Sequence, residues 1–338
     1  MPSLVNFSQA GSDVGASATP REQGQAMITI FSTPKAFIGH IDVIQRNAIL
    51  SWLRLHPNIE IILVGDDAGA AEVSKEFGIR HIANVAKNRY GTKLLASIYD
   101  QVHEIARHST LCHVNCDILL KSDFAQAAQE VMSKRARFLM AGRRWDVDIR
   151  EPLKFDQPHW ETELDRLACR TNRPRPSQWI DYFLFSKGLY YKQIPEFVIG
   201  RPGWDNWLLW YPLSQQVPVI DASRDIRAIH QNHDYGYHPD GEKGVWYGEE
   251  AQENYRLHQG KFATLANATY VLRNGRLRRN HMAGLVRFRG QAQAAWSRLW
   301  FALLDFTRGV RHRLGLRKRE VRSAPSGGPE APSVSRLP

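Results

Sequence analysis

Between residues 27 and 120 the chain switches repeatedly between two hydrophobic periods. MITIFST (27–33), IEIILVG (59–65), IRHIANV (79–85) and LCHVNCDILL (111–120) are short runs rich in β-branched and aliphatic residues. Three segments between them read as helices. HIDVIQRNAILSWLRLH (40–56) has Ile44, Ala48, Trp52 and Leu55 at helical spacing. AGAAEVSKEFG (68–78) is closed by Gly78, and TKLLASIYDQVHEIARH (92–108) takes Thr92 as its N-cap. Strands that alternate with helices pair in parallel through right-handed crossovers. The expected class is therefore α/β, a mixed but mainly parallel central sheet with helices on both faces. Residues 134–178 are less regular and hold many Arg, Trp, Pro and Asp residues. Beyond them WIDYFLFS (179–186) and VPVIDAS (217–223) read as strands, and DNWLLWYPLSQ (205–215) as a short helix. TYVLRNGRL (269–277) reads as a hairpin around Asn274-Gly275.

The chain has 338 residues and a net charge of +11, unevenly spread. From Arg273 onward 15 Lys and Arg face 3 Asp and Glu, so the preceding residues are close to neutral. The basic character belongs to the tail, and nucleic acid is not an expected partner. Three cysteines (Cys112, Cys116 and Cys169) without a CxxC pair argue against a disulfide framework or a cysteine-rich zinc site. No secretory signal and no membrane-spanning run of ~20 apolar residues is visible. The expected location is cytoplasmic. Residues 1–25 and 321–338 read as a disordered leader and tail. Residues 291–316, with Trp296, Leu299, Trp300, Leu303 and Phe306 along one stripe, read as an amphipathic helix within a basic segment, 285–320. Followed by Arg308, Arg311, Arg313, Arg317, Lys318 and Arg319, that helix suits either an anionic membrane surface or the flank of the main body.

LCHVNCDILL carries an amide and a carboxylate within an apolar run. Residues two apart on a strand share a face, so Asn115 and Asp117 are expected to point together. A buried ionised Asp costs several kcal/mol unless it is paired or bound to a metal. In open α/β sheets ligands bind at the carboxyl ends of the strands. Asn115 and Asp117 are then hydrogen-bonding and metal-binding groups at a crevice. The alternative is an Asp that only caps the strand end.

In this setting VNCDILL resembles the DxD element of GT-A glycosyltransferases, with Asn in the first position. Other segments follow in the family's order. STP (32–34) and VGDD (64–67) match the ends of the first two strands, and NRYGTKLLASIYD (88–100) the loop and helix before the DxD strand. The stretch 180–210, with GRPGWDNWLLW, resembles the approach to the xED element, and AIHQNHDYGYH (228–238) a later strand end that supplies a metal-binding His. IHQNHDY is similar to a segment of nucleotide-diphospho-sugar transferase-like proteins. The resemblance covers about residues 27–240. It implies a GT-A type, Rossmann-like domain over 26–284, with a nucleotide-binding half (about 26–123) and an acceptor half (about 124–284).

The function implied is transfer of a sugar from a nucleoside-diphosphate sugar to a hydroxyl of a glycan, a lipid-linked or another acceptor. A divalent cation, Mn²⁺ or Mg²⁺, offsets the charge on the leaving diphosphate. Asp117 fits that cation. The resemblance adds His230, with His233 as the fallback, and imidazole ligands suit Mn²⁺ better than Mg²⁺. Asn115 suits a ribose hydroxyl, and its neutrality makes the site less negative than a full DxD. Ser32, Thr33, Asp66 and Asp67 are expected at the nucleotide, although one of Asp66 and Asp67 also suits the N-cap of the next helix. Arg89 and Lys93 flank a Gly before a helix and suit phosphate. Asp205, in the aspartate position of xED, is the candidate general base, with Asp181 as a second acid that holds a hydroxyl. Trp204 and Trp207 suit sugar faces. The alternative for this stretch is a helix-capping Asp205 with core tryptophans. Peripheral binding at the inner face of the cytoplasmic membrane is expected of the chain itself through residues 291–319. Two other functions stay open: a non-catalytic carbohydrate- or membrane-binding protein on a degenerate GT-A scaffold, and a sugar nucleotidyltransferase. The latter needs a Gly-rich basic loop after the first strand, where STPKAFIGHID offers only Lys35.

Overall fold

A computed structural model of the chain describes residues 28–171, 174–234, 236 and 239–283. The leader, the 285–320 helix and the tail lie outside the described residues. No described helix is long and apolar enough to cross a membrane.

The first 120 residues follow the expected alternation: β1 (Ile28–Ser32), α1 (Gly39–Leu53), β2 (Glu60–Val64), α2 (Ala70–Glu76), β3 (Arg80–Ile82), α3 (Leu95–Ile105), β4 (Thr110–Val114) and β5 (Ile118–Leu119). There follow α4 (Ser122–Lys134), β6 (Leu139–Val147), α5 (Trp160–Thr171), β7 (Ile180–Ser186), α6 (Trp204–Ser214), β8 (Val219–Asp221) and β9 (Ala228–Gln231). The described part ends with α7 (Gly241–Tyr247), α8 (Glu249–His258), β10 (Tyr270–Arg273) and β11 (Arg276–Arg279).

The sheet runs β11-β10-β8-β6-β7-β4-β1-β2-β3. β1 pairs in parallel with β2 and β4, and β6 in parallel with β8, while β7 runs antiparallel between β4 and β6. The sheet is thus mixed and mainly parallel, the class expected from the alternation and from the resemblance. Period-2 alternation sorts each strand's side chains between two cores. Phe31, Ile62, Val64, Phe183 and Phe185 pack with Leu95, Ile98 and Val102 of α3 and Leu208 of α6. Ile28, Ile30, Ile61, Leu63, Tyr182 and Leu184 pack on the other face with Ala48 and Trp52 of α1 and Phe124 and Val131 of α4. Burial on both faces explains why the strands read as mostly apolar runs. Trp52 is fully buried, and its Nε1–H donates to Ile118 O at 2.9 Å, which ties α1 to the strand beyond Asp117.

Several local readings are corrected. Thr92 does not cap α3. Lys93 and Leu94 are held in extended bridges to Lys87 and Val198, so the helix starts at Leu95, with Leu94 at the cap and no side-chain cap bond. Neither Asp66 nor Asp67 caps α2, whose N-cap is Gly69 at φ 85°. LCHVNCDILL is two strands rather than one. β4 ends at Val114, Ile118 N–H closes a turn onto Asn115 O at 3.1 Å, and β5 then pairs with β9. The irregular segment hides the nine-residue strand β6 and the helix α5. The hairpin is where it was expected, with Asn274 and Gly275 at φ 53° and 65°, the left-handed pair of a tight turn.

Candidate active site

Strand switching assembles the site. Where the chain leaves β4, Asn115 and Asp117 fall in the turn before β5. In the ladder β5–β9–β6 the register sets His230 opposite Ile118 on one side and opposite Asp146 on the other. Asp117, His230 and Asp146 are neighbours for that reason, although they come from three distant parts of the sequence. His233 follows the end of β9. Lys35 lies in the loop after β1, where its backbone N–H donates to Gln45 Oε1 and its carbonyl accepts from Gln45 Nε2.

Asp117 is buried. Its Oδ2 lies 3.1 Å from His233 Nε2, 3.8 Å from Lys35 Nζ and 3.9 Å from His230 Nε2. Its Oδ1 is buried without a protein partner. Burial alone would raise the Asp117 pKa, but His230, His233 and Lys35 outweigh it and hold the carboxyl far below the usual range. Ligand atoms of Asp117, His230 and His233 all lie within 4.8 Å of one another. One carboxylate and two imidazoles, with an unpartnered carboxylate oxygen, fit a divalent cation, and two nitrogen ligands suit Mn²⁺ better than Mg²⁺.

Around this cluster lies a second set of charges. His230 Nδ1 is 3.5 Å from Asp146 Oδ1. Asp146 also pairs with Arg144 at 2.9 Å and with Arg175 at 2.5 Å. Arg144 donates to Asp181 Oδ2 at 2.9 Å, and Asn115 Nδ2 donates to Asp181 Oδ1 at 2.6 Å. Both oxygens of Asp181 are thus engaged, one holding Asn115 and the other holding Arg144. A carboxylate behind a ligating imidazole fixes ring orientation and raises its basicity, and losing one typically costs ~10–100-fold in metal affinity. Asp146→Asn is therefore expected to weaken Mn²⁺ binding by about that factor with little change in melting temperature. Loss of the free Mn²⁺ resonance on titration measures it, and equal affinity would remove Asp146 from the site.

The groups open onto a cleft of about 660 Å³. Thr33, Lys35, Lys93, Asn115, Asp117, Asp181, Asp205, His230 and His233 all line it. So do Trp179, Trp204, Trp246, Tyr255 and Phe262, which form an aromatic side. Trp179 and Trp246 face each other at 5.5 Å between centroids, and Arg144 and Arg175 sit over the Trp179 ring at 4.8 and 5.3 Å.

Asp205 reaches the cleft because Gly203 takes φ 103° as the N-cap of α6, a left-handed conformation that L side chains rarely adopt. Burial, reinforced by the nearby Asp181 carboxylate, pushes the Asp205 pKa up to about 7, against the Asn206 N–H that hydrogen-bonds it at 2.9 Å. Trp204 lies on the cleft, supported from beneath by His113 at 5.4 Å between centroids.

Other expected residues fall outside the cleft. Trp207 is core, stacked on Tyr211. Ser32 is buried behind Thr33. Asp66 is exposed and paired with Lys87 at 2.6 Å. Asp67 is paired with Lys93, so it acts on the cleft only through that lysine. Arg89 is exposed on its own neighbour Tyr90 and stands six residues before the start of α3, so no helix N-terminus lies beside it. Lys35, Arg144, Asp146, Trp179 and Trp246 were not singled out as site residues from the sequence. The spacing of Arg144 and Asp146 in RRWDVD was the available signal, since residues two apart on a strand share a face.

No family model and no curated protein sequence matches the chain. Among solved structures, S. aureus TarS 1–349 matches with a TM-score of 0.37 at 9% identity, over 61% of this chain and 58% of that one. The same protein in complex with UDP-GlcNAc matches with a TM-score of 0.29 at 9% identity, over 38% of this chain and 37% of that one. The chain thus spans less than two thirds of TarS 1–349. At these scores the likeness carries no argument about the site, whose chemistry rests on its own residues.

Proposed function

We propose that the chain is a glycosyltransferase that moves a sugar from a nucleoside-diphosphate sugar to an acceptor hydroxyl. The observation that carries this reading is one cleft lined by two chemically different sets of groups. A carboxylate, two imidazoles and two lysines suit a cation and a diphosphate. A carboxyl whose pKa burial pushes up to about 7 lines the same cleft, as do five aromatic side chains. Asp117, His230 and His233 would hold a divalent cation, which would supply Lewis-acid stabilisation of the leaving diphosphate. Lys93, steadied by Asp67, and Lys35 add positive charge on the same side. Asn115, held by Asp181, presents its amide oxygen to a ribose hydroxyl. Asp205 takes the proton of the acceptor hydroxyl as that oxygen bonds to the anomeric carbon. The bond from that carbon to the diphosphate oxygen breaks, and the electron pair leaves with the nucleoside diphosphate. Trp179, Trp204 and Trp246 offer flat apolar faces to an acceptor or donor ring.

A panel of nucleoside-diphosphate sugars, UDP-GlcNAc among them, tests this with Mn²⁺ present and absent. The expected result is metal-stimulated release of nucleoside diphosphate from one donor. Thermal stabilisation by a donor without any turnover, with or without acceptor glycans, favours the carbohydrate-binding alternative instead. Peripheral attachment through the basic segment 291–319 is part of the proposal. A chain ending at residue 284 is expected to lose co-sedimentation with anionic vesicles, and if full-length protein ignores such vesicles at low salt the attachment is wrong.

A further inference from the structure

Lys35 occupies ground that the cation needs. His233 Nδ1 lies 2.6 Å from the carbonyl oxygen of Asp234, which can only accept, so Nδ1 carries a hydrogen. Lys35 Nζ lies 2.9 Å from His233 Nε2 and, as an ammonium, can only donate. The nitrogen that would ligate a metal is therefore already engaged by Lys35, with Asp117 Oδ2 3.1 Å away. The same ammonium is 3.8 Å from Asp117 Oδ2, the oxygen shared by both histidines.

The charge balance agrees. Among the described residues, Lys35, Arg144 and Arg175 face Asp117, Asp146 and Asp181 in one connected set of contacts. A divalent ion entering alone meets carboxylates that already have cationic partners and a positive charge a few ångströms away, in a site of reduced dielectric. The Asn in the first DxD position removes the carboxylate that would otherwise have offset it. A diphosphate brings the missing negative charge, and Lys35 lines the cleft where that diphosphate would lie.

We propose that Lys35 competes with the divalent cation for His233 and Asp117, so that the site takes its metal together with a diphosphate rather than alone. This rests on the glycosyltransferase reading only through the cation site. In the metal-free protein Lys35 holds the ligands together. When a metal–diphosphate complex enters, the ammonium gives up His233 and turns its charge to the phosphates. The two binding events are then coupled, and the coupling runs both ways.

The test is Mn²⁺ binding followed by the resonance of free Mn²⁺, on the full chain, with and without inorganic pyrophosphate. Lys35→Met is expected to bind Mn²⁺ alone about tenfold more tightly than the native chain, or better. Lys35→Arg, which keeps the charge, is expected to stay weak. Pyrophosphate is expected to narrow the gap between the native chain and Lys35→Met. Lys35→Gln serves as a second neutral variant, and melting temperatures show that each is folded. If the neutral variants bind Mn²⁺ no tighter than the native chain, Lys35 is not a competitor although the metal site stands. Lys35→Arg matching Lys35→Met would also overturn the proposal. If neither the native chain nor any variant takes up Mn²⁺ in either condition, the metal site itself is wrong and the competition falls with it.

Discussion

Asp117→Ala is expected to lower Mn²⁺-supported turnover by on the order of 10³-fold or more while leaving a folded protein. A Lewis-acid contact to a leaving diphosphate is worth several kcal/mol, and about 1.4 kcal/mol is a factor of ten in rate. Among the described residues Asp117 is the only carboxylate in the ligand cluster, and its Oδ2 faces both histidines and Lys35. Without it two imidazoles remain, a poor cage for a hard cation. The folded state loses less. The Asp117 side chain sits among polar side chains, His230, His233 and Lys35. Lys35, which loses one of its partners, has a side chain 31% exposed and can turn toward water. The measurements are steady-state rates against Mn²⁺ concentration and a melting curve in a chelator. Near-full metal-stimulated activity would remove Asp117 from the metal site. Collapse of the melting temperature in the chelator would make it a structural group.

The sequence showed most where residues face two cores and least where they face the cleft. β1, β2, β4 and β7 are buried along their whole length and mostly apolar, so hydrophobic runs located them. β6 is half core and half site. Leu139, Met140, Ala141 and Gly142 are buried, whereas Arg143, Arg144, Trp145 and Asp146 are only partly so. Its polar half made the segment look irregular, although that half carries the partner of His230. Local rules give way where tertiary contacts supply function. The same conflict explains Thr92, since pairing of residues 93 and 94 with extended neighbours displaced the helix start. The grouping of Asp117 with His230 came from a family resemblance, because no local pattern reports that residues 117 and 230 share a ladder. Lys35 escaped notice as a site residue because a single lysine in a loop has no periodicity to mark it. Only its distances to His233 and Asp117 bring it into the site.

Asp205→Asn is expected to lower kcat by ~10²–10⁴-fold, the usual worth of a positioned general base, with donor KM nearly unchanged. The pH profile separates this from a helix-capping role. In the native chain kcat/KM should fall below about pH 7, because burial and the Asp181 carboxylate raise the Asp205 pKa to about 7 and only the deprotonated form accepts a proton. The variant should lose that limb. Stability carries the opposite sign. A carboxyl at 3.8 in the unfolded chain and about 7 in the folded one binds its proton more tightly when folded. Its contribution is fully present below the unfolded value and is lost as pH rises through the folded value. Above about pH 7 the native chain therefore holds an unfavourably placed charge, and Asp205→Asn should melt at a higher temperature than the native protein at pH 8. The difference should close as pH falls toward 4. A group whose only task is to cap α6 would be stabilised as the anion by the helix N-terminus, and its replacement would lower the melting temperature at pH 8. Such a drop, with kcat preserved, would return Asp205 to a structural role. A gain in stability at the expense of turnover is what a charge kept in an unfavourable place for catalysis should give.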